Sequence, residues 1–240
     1  MLPFSFYDLL ETCAGDECPV CALLRRDADR YLDSLLYEFA NDPATHAAFR
    51  AGRGLCNLHS WQLTRYDAGV LGIAILQTAV LDEVLRLIDE TPVQSQTGLA
   101  RVFSSGANGP GALADRLEPE GPCLVCQTLA QAETNYLETL VTYLDDARLE
   151  AAFRRSAGLC LPHFRAALRQ PQPQAALDRL LAVQTDRWRQ LKAELLEFQS
   201  KSDYKRAHEV MGRERDSWRR AIASAAGAHA VFGLRRPPGK

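Results

Sequence analysis

Apolar residues recur at three- and four-residue steps over most of the chain, the spacing of one face of an α-helix. The clearest stretches are residues 20–39, 69–90, 125–144 and 174–199. The most apolar run, "AGVLGIAIL" at residues 68–76, is too short to cross a membrane and is soon followed by charged residues, so residues 69–90 are predicted to form a buried core helix. No stretch alternates apolar and polar residues for long, as a half-buried strand would. The pattern predicts an all-α protein, a helical bundle.

Local signals refine these predicted helices. Asn41 or Asp42 can cap a short helix that has Pro43 in its first turn. In the long helix over residues 174–199, one seam is predicted to face the core because its members share a helical spacing. The members of that seam are Leu177, Leu181, Gln184, Trp188, Leu191, Leu195 and Phe198.

An internal repeat of about 45 residues occurs twice in the chain. Residues 18–64 align with residues 123–168 after a one-residue deletion. Each copy begins with Cys-x-x-Cys and ends with Cys-x-x-His, as "CPVC…GLCNLH" and "CLVC…GLCLPH". The candidate ligands are Cys18, Cys21, Cys56 and His59 in the first copy and Cys123, Cys126, Cys160 and His163 in the second. Glycines before each Cys-x-x-His break the chain, so these pairs are predicted to open new helices.

Three thiolates and one imidazole form a closed tetrahedral set that is typical of structural zinc. Two ligands three residues apart can point the same way from a tight knuckle or from one helical turn. We therefore predict two metal centres, each formed within one repeat, that staple helical units together. Zinc is the favoured metal, giving two zinc ions per chain. Iron–sulfur clusters of a redox or sensor protein are the alternative, because thiolates suit both.

Other interpretations of the cysteines explain less. A thioredoxin-type redox pair needs alternating strands and helices and leaves the repeated Cys-x-x-His unexplained. A c-type haem requires His directly after the second Cys, where Ala22 and Gln127 stand. Simple buried cysteines leave the doubled spacing unexplained. The odd count of seven cysteines argues against a disulfide framework, and the N-terminus does not resemble a signal peptide, so we expect a cytoplasmic protein.

Four segments follow from the repeat and from composition. We expect helical units at residues 1–90 and 123–200, a Gly/Pro/Ser-rich linker at 91–122, and a basic tail at 201–240. The tail has ten Lys or Arg against four Asp or Glu, and residues 201–227 are predicted to be helical.

Within the tail, "DSWRRAI" combines groups that can grip an anion or a partner. These candidate contact residues are Asp216, Trp218, Arg219 and Arg220. The plainer interpretation is a helix that docks Trp218 on the core while its arginines pair with the acidic remainder of the chain. Both interpretations follow from the same residues.

The remaining features narrow the function. The net charge of −2 does not indicate a general polyanion binder, and no nucleic-acid-binding signature accompanies the basic tail. No separate catalytic motif, such as His-Glu-x-x-His or a phosphate-binding loop, is present in the sequence. The sequence thus favours a metal-stapled structural or interaction module, with a protein partner, over an enzyme. An enzyme would need one displaceable ligand, for which His59 or His163 is the candidate.

The doubled "CPVC…GLCNLH / CLVC…GLCLPH" and the terminal "MGRERDSWRRAI" resemble an uncharacterised family of bacterial proteins, a domain of unknown function. The resemblance covers nearly the whole chain except residues 91–122 and the last dozen. It implies that the eight ligand candidates and residues 216–220 belong to the family pattern. The second copy has Leu124 where the first has Pro19, which leaves the ligands intact.

Overall fold

The computed structural model describes residues 2–91, 110–206 and 208–232, which fold into α-helices with no β-strand among them. The prediction of an all-α protein is confirmed. The helices are α1 (Phe4–Thr12), α2 (Pro19–Tyr37), α3 (Pro43–Ala51), α4 (Asn57–Leu63), α5 (Val70–Glu90), α6 (Pro110–Leu117), α7 (Leu124–Tyr143), α8 (Ala147–Arg155), α9 (Leu161–Ala167), α10 (Gln174–Lys201) and α11 (Ser217–Ala226), with short 3-10 turns at Asp67–Gly69 and Arg213–Asp216.

Helix α3 begins as its sequence predicts. Asp42 is the N-cap residue, and its Oδ2 accepts a hydrogen bond from the backbone N–H of Thr45 at 2.7 Å. Pro43 occupies the first turn, where its missing N–H costs no hydrogen bond. Asp146 caps α8 in the same way, accepting from the N–H of Arg148 at 2.9 Å.

The chain forms two compact units that do not follow the order of the repeats. Met1–Asp27 and Ala130–Lys240 form one, here called the terminal unit, and Ala28–Leu129 forms the other, the central unit. Their boundaries fall inside α2 and α7. Each unit therefore contains one end of the first repeat and one end of the second.

The central unit buries side chains from α2 to α5. Close packing of α5 against α2 depends on two glycines, since a Cβ at Gly69 would lie 2.6 Å from Leu36 Cδ1 and one at Gly72 would lie 3.0 Å from the Leu36 carbonyl oxygen. The core of this unit includes Leu32, Leu35, Leu36, Phe49, Leu63, Leu76 and Leu87.

The terminal unit has its own core, in which α1 packs on α8. The Phe6 ring meets the Tyr143 ring edge to face at 5.8 Å between centroids. The Arg148 guanidinium lies 5.1 Å over the Phe6 ring, a cation–π contact. The largest fully buried side chains of this unit are Phe6, Leu9, Leu23, Leu137, Leu140, Leu144 and Phe153.

Helix α5 differs from its prediction as a buried core helix. Only five of its 21 residues are buried, namely Gly72, Leu76, Ala79, Val80 and Leu87. By length and composition it is the one helix among the described residues that could cross a membrane. That test alone is weak, because helices of soluble proteins also pass it. The apolar run reflects two apolar faces, one packed in the core and one exposed.

Helix α10 is rotated relative to the predicted seam. Its buried residues are Ala176, Leu180, Val183 and Gln184, whereas Leu181 is 39% exposed. Gln184 is buried as the predicted seam requires, and its Oε1 accepts from the Leu159 N–H at 2.8 Å while its Nε2 donates to the Leu159 carbonyl at 3.0 Å. The backbone N–H and the carbonyl of buried Leu159 are thereby both hydrogen-bonded.

Two further segments differ from the sequence analysis. The sequence did not predict α6, which forms near the end of the supposed linker; residues 92–109 of that linker lie outside the described residues. The tail is helical only in part. Described residues between Lys201 and Arg213 form turns and irregular backbone, and α11 starts at Ser217.

Candidate metal centres

All four ligand pairs lie at helix N-termini. Cys56 and Cys160 are the N-cap residues of α4 and α9, and Cys18 and Cys123 directly precede α2 and α7. The carbonyl of each of these cysteines accepts a hydrogen bond from the N–H four residues on, at 2.8 to 3.1 Å. The second ligand of each pair lies three residues later, in the first helical turn. The predicted placement at helix starts is confirmed, and the positive end of each helix dipole favours a negatively charged thiolate there.

A glycine in the left-handed region precedes both Cys-x-x-His pairs. Gly54 has φ +88° and Gly158 has φ +74°, a conformation that costs an L-residue roughly 1–2 kcal/mol. These glycines turn the chain from α3 and α8 into the N-termini of α4 and α9. The Gly-Leu-Cys sequence is thus required by backbone geometry as well as by the ligands.

We expect Gly158→Ala to destabilise the protein more than Gly54→Ala. Both changes force a side chain into the left-handed region. A Cβ at Gly158 would also lie 3.0 Å from Gln184 Oε1, whereas one at Gly54 meets only ordinary contacts at 3.8 Å and beyond. Urea denaturation of the two metal-loaded variants measures the difference. Equal losses would show that Gln184 moves aside without cost.

The terminal centre consists of Cys18, Cys21, Cys160 and His163, all in the terminal unit and all buried. His163 Nδ1 lies 3.4 Å from Cys18 Sγ, 3.5 Å from Cys21 Sγ and 3.3 Å from Cys160 Sγ. Cys21 Sγ and Cys160 Sγ are 3.7 Å apart. All four ligand atoms lie within 4.8 Å of one another, so the group can hold a metal ion.

The central centre repeats this geometry in the central unit, with Cys56, His59, Cys123 and Cys126. His59 Nδ1 lies 3.2 Å from Cys56 Sγ, 3.5 Å from Cys123 Sγ and 3.4 Å from Cys126 Sγ. Cys56 Sγ and Cys126 Sγ are 3.7 Å apart. Here His59 is buried, but Cys56 and Cys123 are only partly buried and Cys126 is exposed. The second group can also hold a metal ion, with more access to solvent.

The ligands pair across the repeats, so the expectation that each repeat closes its own centre is wrong. Each Cys-x-x-Cys joins the Cys-x-x-His of the other copy. The reason is helix length. From Cys21 to Tyr37, α2 carries the chain about 24 Å, whereas the following α3 has nine residues and returns at most about 14 Å. Helix α3 alone therefore does not bring the chain back to the start of its own repeat.

The residues that contact the ligands differ between the two centres. In the terminal unit, His163 Nε2 lies 3.6 Å from a carboxylate oxygen of Glu133, a distance and partner suited to orienting the ring. The Ala228 N–H points at Cys21 Sγ at 3.4 Å, and the Phe232 ring lies 4.9 Å from the His163 ring. The Nε2 atoms of His163 and His59 are both buried without a hydrogen-bond partner among the described residues, so in this respect only the nearby Glu133 carboxylate distinguishes the two rings. The terminal centre is thus the better supported.

Sequence reasoning missed these supporting groups. Glu133, Ala228 and Phe232 belong to no motif and lie far from the ligands in sequence. Gln184 gave a signal, because it was a single amide in an otherwise apolar seam. Its two bonds to Leu159 fix the loop immediately before Cys160.

Contacts between neighbouring cysteines shift the pKa values of their thiols. The hydrogen bond with Cys126 lowers the pKa of Cys123, and the same contact raises the pKa of Cys126. In the terminal centre, the contact with Cys160 raises the pKa of Cys21. Because metal ligation needs thiolates, a cation that enters either group displaces the shared protons. Cys13 differs from the ligands, since burial raises the pKa of its thiol to about 12.

A small cavity of about 90 Å³ borders the terminal centre, with Cys18 and Cys160 in its wall. Arg155 and Arg187 also line it, and neither forms an ion pair within the described part of the chain. Three thiolates around a divalent ion carry an excess negative charge. The two arginines bring positive charge to the cavity beside this site, and Asp16, Glu17 and Glu194 in the same lining bring negative charge.

Comparison with protein families identifies the family to which the chain belongs. The sequence model of DUF6062, a family of unknown function, matches residues 8–231. The chain belongs to this family. The DUF6062 match spans both ligand sets and the C-terminal "DSWRRAI" segment, which confirms the resemblance inferred from the motifs.

A relative and the solved structures add little on function. The chain is 23% identical over 223 residues to the "Uncharacterized 23.9 kDa protein in xynA 3'region" of Caldicellulosiruptor sp. (strain Rt8B.4). That match covers 91% of this chain and 99% of the relative. No solved structure matches this DUF6062 protein significantly.

The tail residues of this DUF6062 protein contact one another. Arg220 Nε lies 2.9 Å from Asp216 Oδ1, and the same guanidinium pairs with Glu194 of α10. The Arg219 guanidinium lies 4.9 Å over the ring of Trp218, which is 44% exposed. The Arg220–Glu194 pair fits a tail docked on its own unit, but the exposed Trp218 is not docked on the core as the plainer interpretation expected. A role of the four residues in binding an anion or a partner stays a prediction.

Proposed function

We propose that the protein is a zinc-binding helical module in which two ions per chain hold the ligand helices together. The observation that carries the proposal is the pair of closed Cys₃His groups. A tetrahedron with zinc–sulfur bonds of about 2.3 Å has edges of about 3.8 Å. The Sγ–Sγ distance of 3.7 Å in both groups supports a single ion in each. With four protein ligands per ion, no position stays open for a substrate.

An iron–sulfur protein is the second candidate, favoured only by the three thiolates in each group. Each ligand of a four-iron cluster binds a different iron atom, so the cluster holds its ligands farther apart than one ion does. Ligand atoms that all lie within 4.8 Å fit a single ion better. The compact groups therefore support zinc over a cluster.

Elemental analysis after anaerobic purification tests this choice. We expect two zinc ions per chain, no iron and no acid-labile sulfide, with no absorption band near ~400 nm, where thiolate-bound iron clusters absorb. Brown protein that contains iron and sulfide would show that the ligands hold iron–sulfur clusters instead of zinc. Protein without any bound metal would end both candidates.

We place the protein in the cytoplasm, where reducing conditions keep thiols available as ligands. Its role there is structural, as a rigid module that docks on a protein partner. Because the central centre is partly exposed, solvent reaches its ion more easily than it reaches the ion of the terminal centre. The terminal ion maintains the fold, and the central ion can exchange with other ligands in solution.

Chelation kinetics should reveal this inequality. An excess of EDTA is expected to remove zinc in two phases, one ion per chain in each, because exposed Cys126 lets the chelator reach the central ion first. A zinc-sensitive dye follows both phases. In the variant Cys56→Ser with Cys126→Ser, the fast phase should disappear while the slow one stays. Loss of both ions at one rate would contradict the inequality.

A further inference from the structure

Helix α5 carries a second apolar face that points to solvent. Its large members include Leu71, Leu81 and Leu85, whose exposed fractions are 75%, 60% and 57%. Isolated exposed leucines are common, but a continuous line of them along one helix indicates an interaction surface. We call this line the α5 seam, formed by Leu71, Ala74, Thr78, Leu81, Leu85 and Ile88, all of them exposed.

The α5 seam has the spacing of a coiled coil. Its members follow one another at steps of 3, 4, 3, 4 and 3 residues, the a and d positions of the heptad repeat. Thr78 fits such a seam, because its hydroxyl donates to the Ala74 carbonyl at 2.8 Å and needs no partner outside the helix. A strict a/d line is narrower than the face of an ordinary core helix and is suited to packing on one other helix.

The order of side-chain sizes in the α5 seam is self-complementary. When two copies run antiparallel about the middle of the seam, Leu71 faces Ile88 of the other copy, Ala74 faces Leu85, and Thr78 faces Leu81. Each small residue then meets a large one. Parallel copies would instead place Ala74 on Ala74 and Thr78 on Thr78, which leaves gaps at the centre of the interface.

Charged neighbours of the α5 seam fit the same arrangement. Asp82 and Asp89 flank one side, and in the antiparallel register they face Gln77 and Val70 of the other copy instead of a carboxylate. Arg86 is held by Glu83 and Glu90 of its own helix at 2.7 and 2.6 Å. These charges stay in water beside a protein seam, whereas in a lipid core they would be costly.

We propose that the protein forms a homodimer through antiparallel pairing of its α5 seams. The two-fold axis passes between Thr78 and Leu81, so that each contact occurs twice. Six positions per helix are fewer than the roughly 20–30 residues a side of a standard stable interface. The dimer therefore dissociates on dilution, and its formation does not depend on the identity of the bound metal.

Sedimentation velocity of the metal-loaded chain over a series of concentrations tests the dimer. We expect a shift from monomer to dimer mass as the concentration rises. Leu81→Glu should raise the dissociation constant at least tenfold, because the added charge enters the interface twice. The control Leu196→Glu changes a leucine of α10 that is 54% exposed and lies outside the seam, and it should dimerise as the parent does.

A compensating variant tests the antiparallel register. In Thr78→Lys combined with Leu81→Glu, the lysine of each copy faces the glutamate of the other, so dimerisation should recover relative to Leu81→Glu. Parallel pairing would oppose like charges and give no recovery. A parent chain that stays monomeric at all concentrations would overturn the proposal. Monomeric protein that sediments with phosphatidylcholine vesicles, and loses this with Leu81→Glu, would assign the seam to lipid instead.

Discussion

Replacing Cys56 and Cys126 together by serine is expected to remove one zinc ion per chain and to leave the other tightly bound. The two residues belong to different repeats but to the same centre, where their sulfurs are 3.7 Å apart. A centre that has lost two of four ligands cannot hold its ion, whereas the terminal centre keeps all four. The measurement is the zinc that resists a competing chelator at a concentration at which the parent protein keeps both ions.

The matched variant is Cys21→Ser combined with Cys56→Ser. It also removes two thiolates, but both come from the first repeat and each belongs to a different centre. Both centres are then left with three ligands, so no chelator-resistant zinc should remain. If each repeat closed its own centre, the results would be reversed. One resistant ion in this variant and none in the first would therefore contradict the pairing across repeats.

Local chemistry made the ligands predictable from the sequence. The two ligands of a Cys-x-x-Cys or Cys-x-x-His pair lie within one helical turn, so a stretch of four residues is enough to recognise them. The helix starts at Cys56 and Cys160 were predictable for the same reason, since the preceding glycines break the chain. Asp42 is a further local signal, because a cap acts on the N–H groups next to it.

The pairing of the ligands depended on distances along whole helices. The motif of Cys18 and Cys21 does not indicate which Cys-x-x-His pair completes its centre. The repeat suggested the pair that is nearest in sequence. The decisive quantity was the length of α2 relative to α3, which a count of helical residues provides. Comparison of helix lengths within a repeat would have counted against the wrong pairing before any coordinates were known.

Burial of helix faces was the least predictable feature. The apolar run at the start of α5 predicted a buried helix. The hydrophobicity of a helix does not show, however, how many other elements pack on its faces. The seam of α10 was right at Gln184, which is buried and bonded to Leu159, but the other buried residues, Ala176, Leu180 and Val183, lie beside the predicted line. Both errors concern contacts between segments that are distant in sequence.

Complete removal of zinc is expected to abolish cooperative unfolding. The terminal centre joins residues as far apart as Cys21 and Cys160, which are 139 positions apart. A cross-link that closes a loop of this length restricts the unfolded chain by about 5 kcal/mol in the loop-entropy treatment developed for disulfides. Structural zinc sites contribute roughly 10–16 kcal/mol in small peptides, as much as the whole stability of a typical domain. Calorimetry of the metal-free protein should therefore show no sharp transition.

Readdition of zinc should restore the transition if the loss is caused by the metal and not by oxidation of the thiols. The control variant is Cys13→Ala, because Cys13 is buried but belongs to neither centre. It should bind two zinc ions and lose its transition on chelation as the parent does. A metal-free chain that melts sharply at the temperature of the loaded one would contradict the prediction. Zinc would then occupy sites already held in place by the helices, since an ion that does not change the free energy of unfolding cannot be what joins Cys21 to Cys160.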